Sequence, residues 1–226
     1  MIGSNSEEQS KKILEKYHFE TVRKLGKGSY GHVLLTSKFV NTATFYAVKC
    51  INLKKATKDP KLKQYLQQET QTMSSLNHPN VVRLDSTFSG MLWWYNVDSG
   101  WYFFVMEFCD MNTLHAYQSK INAKIFGLGE GIRIFQQVLS GVKAIHEKNI
   151  IHRDIKCDNI FLTRKKGGGF VCKIGDFGFA KVLNKTAQTN CGTTLYMAPE
   201  VMAHLPYDHK ADIWSTGVVL YYMLFG

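Results

Sequence analysis

The chain has 226 residues, 45% of them hydrophobic and 20% charged, which predicts an ordinary globular protein with one large domain or two small lobes. No apolar stretch reaches the roughly 18 residues of a membrane-spanning helix, the N-terminus lacks the apolar core of a secretory signal, and the cysteines are dispersed as in reduced proteins, so we expect a cytoplasmic protein without a transmembrane segment. The net charge of +10 is spread along the chain without a nucleic-acid-binding motif, and we therefore expect no nucleic-acid partner.

The first half of the chain reads mainly as strands. Residues 1–18 form a polar, partly helical lead-in. From Phe19 to Leu53, β-branched and aromatic residues alternate with polar ones in three runs that turn residues separate. The spacing of apolar residues predicts a helix over residues 61–76, which the Pro79 segment ends. Strands are predicted again in VVRLDSTFSG and WYFFVMEF.

The second half is more helical. The run LGEGIRIFQQVLSGVKAIHEK has a 3.6-residue apolar repeat, and HKADIWSTGVVLYYMLF is apolar on nearly all sides, which predicts a buried helix. The patterns together predict an α+β fold with a sheet-rich first lobe and a helix-rich second lobe that are joined near MEFCD. A cleft between such lobes is a common place for a ligand.

Four polar islands interrupt these elements, and the first is glycine-rich. LGKGSYGHV places Gly26, Gly28 and Gly31 where backbone amides could approach a phosphate without a clashing Cβ. A dinucleotide motif would need a helix next and an acid about 20 residues later. Instead a strand-like run follows, and Lys49 comes near that position. A hairpin that covers phosphates fits best, with a plain glycine hairpin as the alternative.

The second island is Lys49, which lies in the apolar run YAVKC of a predicted strand. A buried ammonium group is costly unless an anion pairs with it. Glu69 in the following helix is the best-placed candidate, although a glutamate on a helix surface is usually only solvated.

The third and fourth islands carry groups that suit phosphate chemistry. In HRDIKCDN, the carboxylate of Asp154 can accept a proton or orient a hydroxyl that attacks a phosphoryl group. Lys156, two residues later, can reach the same phosphoryl group. The amide oxygen of Asn159 can ligate a hard cation such as Mg²⁺, and Asp176 in KIGDFGFA would give it a second oxygen ligand.

In this order the islands resemble the signature of eukaryotic protein kinases, from LGKGSYGHV through AVK, HRDIKCDN, DFG and APE to DIWSTG. The resemblance covers residues 19–226 and implies a bilobal fold. Its N-lobe, residues 19–108, would hold an antiparallel sheet plus one helix, and its C-lobe, residues 109–226, would be mainly helical. The implied activity is that of a serine/threonine kinase acting on protein substrates. The alternative is a truncated, catalytically weak kinase-like domain that binds nucleotide or serves as a scaffold.

The resemblance implies ATP and Mg²⁺ as cofactors. Lys49 would contact the α- and β-phosphates while paired with Glu69, Asp154 would orient the substrate hydroxyl, and Lys156 would steady the γ-phosphate. Mg²⁺ would be held by Asn159 and Asp176. The residues implied to contact ATP are Leu25, Gly26, Gly28, Gly31, Val33, Ala47, Lys49, Glu107, Cys109 and Phe161.

The segment from Asp176 to residue 200 resembles an activation loop. Thr189 occupies the usual phosphorylation site, where a phosphate could pair with Arg153 and Lys181 and order the loop. The alternative is an unmodified loop threonine. Thr193 resembles the threonine that hydrogen-bonds the catalytic aspartate and lysine, so a phosphate on it should harm activity.

Within the superfamily, the motifs look most like the autophagy-initiating serine/threonine kinases, with the NIMA-related group as second choice. Two departures stand out. The tryptophan-rich segment of residues 91–104 is longer than the usual hairpin and is either a partner-binding patch or, more simply, a hairpin that packs its own aromatic residues. The C-lobe is incomplete at Gly226, so we expect a fragment or a naturally short product whose last helix and Glu200 lack their usual cover.

Overall fold

In a computed structural model of the chain, the described residues are 6–27, 31–56, 62–90, 100–121, 125–178, 180–182 and 193–226. The chain divides into two compact units. The first unit comprises Met1–Thr70 and Leu84–Phe108, and the second comprises Gln71–Arg83 and Cys109–Gly226. The first part of the tryptophan-rich segment, residues 91–99, lies outside the described residues.

An antiparallel sheet of five strands forms the first unit. Its strands are β1 (Phe19–Lys27), β2 (Gly31–Lys38), β3 (Asn41–Asn52), β4 (Leu84–Gly90) and β5 (Trp101–Glu107), and their order across the sheet is β1-β2-β3-β5-β4. The three runs predicted between residues 19 and 53 are confirmed. The run VVRLDSTFSG, in contrast, forms a strand only from Leu84, because Val81 and Val82 are buried in the second unit.

Helices cover both faces of this sheet. Helix α1 (Ser6–Lys16) packs on β1, and its Ile13 and Leu14 are buried with residues of β2, β3 and β5 in one apolar cluster. The short helix α2 (Leu53–Ala56) follows β3, and α3 (Leu62–Ser74) confirms the helix predicted over residues 61–76. The predicted antiparallel sheet is therefore present, and α1 and α2 add to the one helix expected beside it.

The second unit is mainly helical. It contains α4 (Leu114–Lys120), α5 (Leu128–His146), α6 (Pro199–Met202) and α7 (Lys210–Phe225). Two small antiparallel sheets join them: β6 (Ile150–Ile151) pairs with β9 (Lys181–Val182), and β7 (Ile160–Arg164) pairs with β8 (Phe170–Ile174). The helix predicted from the run LGEGIRIFQQVLSGVKAIHEK is confirmed as α5.

Strand β8 is held from the side by the segment before β4. The backbone N–H of Ile174 donates to the carbonyl of Asn80 at 2.9 Å, and that of Val82 donates to the carbonyl of Ile174 at 2.8 Å. Helix α5 approaches this segment at Gly141, where an added Cβ would lie 2.5 Å from the carbonyl oxygen of Asn80. These contacts fix the end of β8 and hence the start of the segment that carries Asp176.

Helix α7 is buried on one face only. The predicted buried helix packs against α5 and residues 194–196 on one side, and its other face is open, as expected for a last helix without its usual cover. No helix in the described part of the chain, α7 included, is long and apolar enough to cross a membrane. The large side chains on the open face, with their exposed fractions, are Ile213 (49%), Trp214 (49%), Tyr221 (63%) and Phe225 (69%).

The packing of α1 predicts a measurable contribution to stability. Leu14 is fully buried, so Leu14→Ala should lower the free energy of unfolding by about 2–5 kcal/mol through lost burial and a residual cavity. Urea denaturation measures this loss. Lys12→Ala on the same helix is the control, because the Lys12 side chain is exposed where it pairs with Glu8. Equal unfolding midpoints for the two variants would contradict the packing of α1 in the core.

Candidate functional site

Strand β3 and helix α3 bring Lys49 and Glu69 together. The Lys49 Nζ lies 2.6 Å from Glu69 Oε1, and both side chains are largely buried. Side chains alternate along a strand, so the burial of Val48 and Cys50 on the α1 face directs Lys49 to the opposite face, where its Nζ also lies 5.6 Å from the ring centre of Phe104. The ammonium group thus has the anionic partner that its burial requires.

One row of paired residues crosses the first unit through Lys49. Gly26 of β1 pairs with Val33 of β2, Val33 pairs with Lys49 of β3, and Lys49 pairs with Phe104 of β5. Directly paired residues of adjacent strands share a face of the sheet, so the side chains of Val33 and Lys49 lie on the same face. Two of the residues predicted to contact ATP, Gly26 and Val33, therefore lie in the same row of paired residues as Lys49.

Gly31 is required by close packing of two strands. A Cβ at this position would overlap the carbonyl oxygen of Cys50 on the neighbouring strand, so only glycine allows β2 to begin here. Gly28 lies outside the described residues. The other residues predicted to contact ATP are distributed as follows: Leu25 and Gly26 in β1, Gly31 and Val33 in β2, Ala47 and Lys49 in β3, Glu107 at the end of β5, and Cys109 and Phe161 in the second unit.

Asp154 is the centre of a hydrogen-bonded cluster in the second unit. Its carboxylate is buried, and Oδ2 accepts from the Asn159 amide at 2.8 Å and lies 2.8 Å from the Lys156 ammonium. Its Oδ1 accepts from the Thr193 backbone N–H at 3.1 Å and from the Thr193 hydroxyl at 3.0 Å. The Lys156 ammonium also donates to the Thr193 hydroxyl at 2.7 Å. A carboxylate fixed in this way can orient and accept a hydroxyl proton.

The two predicted metal ligands are brought close by the β7–β8 hairpin. Ile160 pairs with Ile174, and the backbone N–H of Gly175 donates to the carbonyl of Asn159 at 2.9 Å. Asp176 follows directly, is exposed, and adopts a φ of 60°. The Asn159 side-chain nitrogen faces Asp154, so its amide oxygen is the atom left for a ligand. An amide oxygen and a carboxylate are donors that fit Mg²⁺.

Asp212 holds the backbone of the segment before Asp154. Its carboxylate is buried and accepts from the backbone N–H groups of His152 and Arg153, each at 2.9 Å, while His146 Nε2 lies 2.8 Å from Oδ2. Arg153 adopts a φ of 69°, a left-handed conformation that costs a non-glycine residue about 1–3 kcal/mol and persists only where the surroundings impose it.

His152 and Asp212 were left out of the predicted site, although both are buried and both position it. His152 Nε2 lies 3.0 Å from the carbonyl oxygen of Gly175, which connects the Asp154 segment to the residue before Asp176. An aspartate within an otherwise apolar helix was the sequence signal that pointed to Asp212. For His152, the signal was an imidazole directly after two buried isoleucines.

The buried Cys157 lies in the same segment as Asp154 and Asn159 and has an unreactive thiol. Burial raises the pKa of the Cys157 thiol to about 12, so the group is protonated at neutral pH. Burial, followed by the neighbouring Cys157, likewise raises the pKa of Tyr196. Because the thiolate is the reactive form of cysteine, Cys157 is not suited to act as a nucleophile.

The predicted regulatory residues are only partly described. The backbone N–H of Arg153 is bound by Asp212, and the backbone of Lys181 pairs with Ile151. Thr189 and the side chain of Lys181 lie outside the described residues. The structure thus brings Thr193 to Asp154 and leaves the proposed pairing of Thr189 as a prediction.

Comparison with known proteins gives a consistent set of relatives. A family model described as the protein kinase domain matches residues 19–226. Serine/threonine-protein kinase Nek5 of Mus musculus is 35% identical over 207 residues, which cover 90% of this chain and 30% of that relative. Calcium-dependent protein kinase 4 of Plasmodium berghei is 36% identical over 220 residues, covering 96% and 39%. Serine/threonine-protein kinase PLK4 of Drosophila grimshawi is 34% identical over 211 residues, covering 92% and 26%.

The chain therefore spans less than two fifths of the length of each of these relatives. The predicted resemblance to serine/threonine kinases is confirmed at the level of the superfamily, and the relatives include a member of the NIMA-related group. The choice of subgroup stays a prediction.

The contacts of Asp212 predict that loss of one carboxylate oxygen destabilises the second unit. Asparagine offers one acceptor oxygen, so Asp212→Asn should leave at least one buried donor unpaired and lower the free energy of unfolding by about 1–3 kcal/mol in urea denaturation. Asp208→Asn is the matched control. The Asp208 carboxylate accepts a hydrogen bond from the Lys210 backbone N–H, and the amide oxygen of asparagine can accept the same hydrogen bond. The role given to Asp212 fails if both variants unfold at the same urea concentration.

Proposed function

The chain belongs to the protein kinase family, and we propose that it transfers the γ-phosphate of Mg-ATP to serine and threonine hydroxyls of protein substrates. The observation that carries the proposal is the buried carboxylate of Asp154, which is held by Lys156, Asn159 and Thr193 at 2.8–3.1 Å. The names of the relatives, which are serine/threonine and calcium-dependent protein kinases, support the same class of reaction.

Asp154 is the residue that would receive the substrate hydroxyl. Its carboxylate accepts a hydrogen bond from that hydroxyl and orients the oxygen for attack on the phosphorus. Three hydrogen bonds prevent the carboxylate from rotating. The Asn159 side chain donates to one carboxylate oxygen, and the backbone N–H and the hydroxyl of Thr193 donate to the other. Positioning of this kind is the main contribution of a protein to phosphoryl transfer.

Lysine side chains would stabilise the phosphate groups. Lys156 would contact the γ-phosphate, and Lys49, held by Glu69 at 2.6 Å, would contact the α- and β-phosphates. The presence of lysine at position 156 is also the pattern of serine/threonine rather than tyrosine kinases. Each ammonium group meets its anion already oriented by a carboxylate, so little reorganisation is needed during the reaction.

Asn159 and Asp176 would hold Mg²⁺ through one oxygen each. When bound, the ion neutralises charge on the phosphate oxygens. The nucleotide itself would be contacted by the strand residues of the first unit, Leu25, Gly26, Gly31, Val33, Ala47 and Lys49, by Gly28, and by Glu107, Cys109 and Phe161.

Phosphorylation of Thr189 would control this activity. A phosphate adds about two negative charges, which Arg153 and Lys181 would bind and which would order the loop around the substrate. A phosphate on Thr193 would instead break the hydrogen bonds that hold Asp154 and Lys156, and activity would fall.

The first prediction of this proposal concerns Asp154. Asp154→Asn keeps the shape of the side chain but removes the base, so phosphate transfer from labelled ATP to a generic protein should fall by about 10² or more. Asp158→Asn, at an exposed position of the same loop, should retain activity. Equal transfer by the wild type and Asp154→Asn would exclude the enzyme and leave a nucleotide-binding or scaffold role.

A second prediction concerns Thr189. Thr189→Ala should lower activity severalfold, because the loop loses the phosphate that Arg153 would bind. Thr186→Ala, three residues earlier in the same loop, is the control and should change activity little. Mass spectrometry of the active enzyme tests the same point, since full activity without phosphate on Thr189 would contradict it.

A further inference from the structure

Helix α1 lies before the residues that match the family model, but it is packed into the core of the first unit. The family match begins at residue 19, whereas α1 ends at Lys16. Ile13 and Leu14 of α1 are nevertheless 1% and 0% exposed, in one cluster with Cys50 and Phe103 of the sheet. An accessory segment that is buried this deeply is a fixed part of the unit.

Helix α1 binds strand β2 through a buried hydrogen bond. The hydroxyl of Ser10 lies 2.8 Å from Nε2 of His32, and the two residues are 0% and 6% exposed. The same hydroxyl donates to the carbonyl of Glu7 at 2.8 Å, so its oxygen is left to accept a hydrogen bond from the Nε2–H of His32. The His32 ring also packs edge-on against Trp101, with centroids 5.6 Å apart.

A second contact joins α1 to strand β1. Glu7 Oε2 lies 2.7 Å from the Lys24 ammonium, and Oε1 lies 2.8 Å from Lys11 of the same helix. Hydrogen bonds from Lys11 and then Lys24 lower the pKa of the Glu7 carboxyl to about 2, so the group is ionised at neutral pH. Helix α1 therefore binds both strands of the β1–β2 hairpin.

These contacts lie at the end of the hairpin that carries the predicted ATP contacts. His32 pairs with Lys27 of β1 and with Cys50 of β3, and the neighbouring row joins Gly26, Val33 and Lys49. Because successive residues of a strand face opposite sides, His32 faces α1 while Val33 faces the side of Lys49. A displacement of His32 therefore moves the backbone of Gly31 and Val33 with it.

We propose that Ser10, His32 and Glu7 are positioning residues, through which α1 holds the β1–β2 hairpin in the arrangement that binds ATP. This inference rests on the proposed kinase function. Strand β1 is an edge strand that pairs with β2 on one side, so its position depends on that pairing and on the packing of α1. Ordering the hairpin before ATP arrives removes the ordering cost from binding, so the docking of α1 raises ATP affinity.

Steady-state kinetics of two variants and one control variant test the proposal. Ser10→Ala removes the acceptor of His32, and Glu7→Gln removes the charge that binds Lys24. Each should raise KM for ATP by about threefold to tenfold, the range expected when a few groups must be ordered on binding. The kcat at saturating ATP and KM for the protein substrate should stay within about twofold of the wild type.

Glu8→Gln is the matched control for Glu7→Gln. Both changes remove one carboxylate from the first turn of α1 and one i,i+4 pair with a lysine, but Glu8 pairs with the exposed Lys12 of its own helix. Its KM for ATP should equal that of the wild type. A general loss of folded protein would lower kcat and leave KM unchanged, so the split between the two constants separates positioning from stability.

Direct binding of a fluorescent ATP analogue to Asp154→Asn protein, with and without Ser10→Ala, separates this inference from the proposed function. Weaker binding with Ser10→Ala, by the same factor as the change in KM, supports the role of α1. Unchanged ATP affinity in Ser10→Ala and Glu7→Gln would overturn it while leaving the kinase reaction intact. Absence of both ATP binding and phosphate transfer in the wild type would instead overturn the proposed function.

Discussion

The cost of burying charge is the constraint on which the second unit depends. Asp154 and Asp212 are 4% and 1% exposed, and a carboxylate removed from water is tolerated only when hydrogen bonds or cations replace the lost solvation. Asp154 obtains them from three side chains of its own loop and of residue 193. Asp212 obtains them from His146 and from two backbone N–H groups. The hydrogen bonds that each buried carboxylate requires therefore hold the backbone and side chains of the segment around Asp154 in place.

The first unit solves a related problem with a sheet that is covered on both faces. Alternation along β3 sends Cys50 into the apolar cluster beneath α1 and Lys49 to Glu69 on the other side. Strand β3 thus contributes side chains to the apolar cluster on one face and the ammonium group of Lys49 on the other. Under the proposal made for α1, a change in its packing would reach the residues predicted to contact ATP through adjacent residues of the same strands.

Local patterns predicted most of the secondary structure because burial on one side imposes a period. The repeat in the α5 run and the alternation between residues 19 and 53 follow directly from such burial. An error occurs where the period is ambiguous, since Val81 and Val82 look like strand residues but are buried in the second unit. Helix α7 is apolar all round, so its pattern does not indicate which of its faces packs against α5.

The sequence by itself determined the order and chemical type of the site residues, since spacing within HRDIKCDN and DFG is a property of the chain. The resemblance already implied the pairing of Lys49 with Glu69 and of Asp154 with Thr193. Only the tertiary structure decided other contacts across long separations, such as Asp212 with the backbone of residues 152 and 153, and Ser10 with His32. It also decided that α1, a polar segment with three buried residues, belongs to the core. The physical reason is that a periodic pattern indicates which face of an element is buried, whereas the partner of that face depends on packing contacts between elements that lie far apart in the chain.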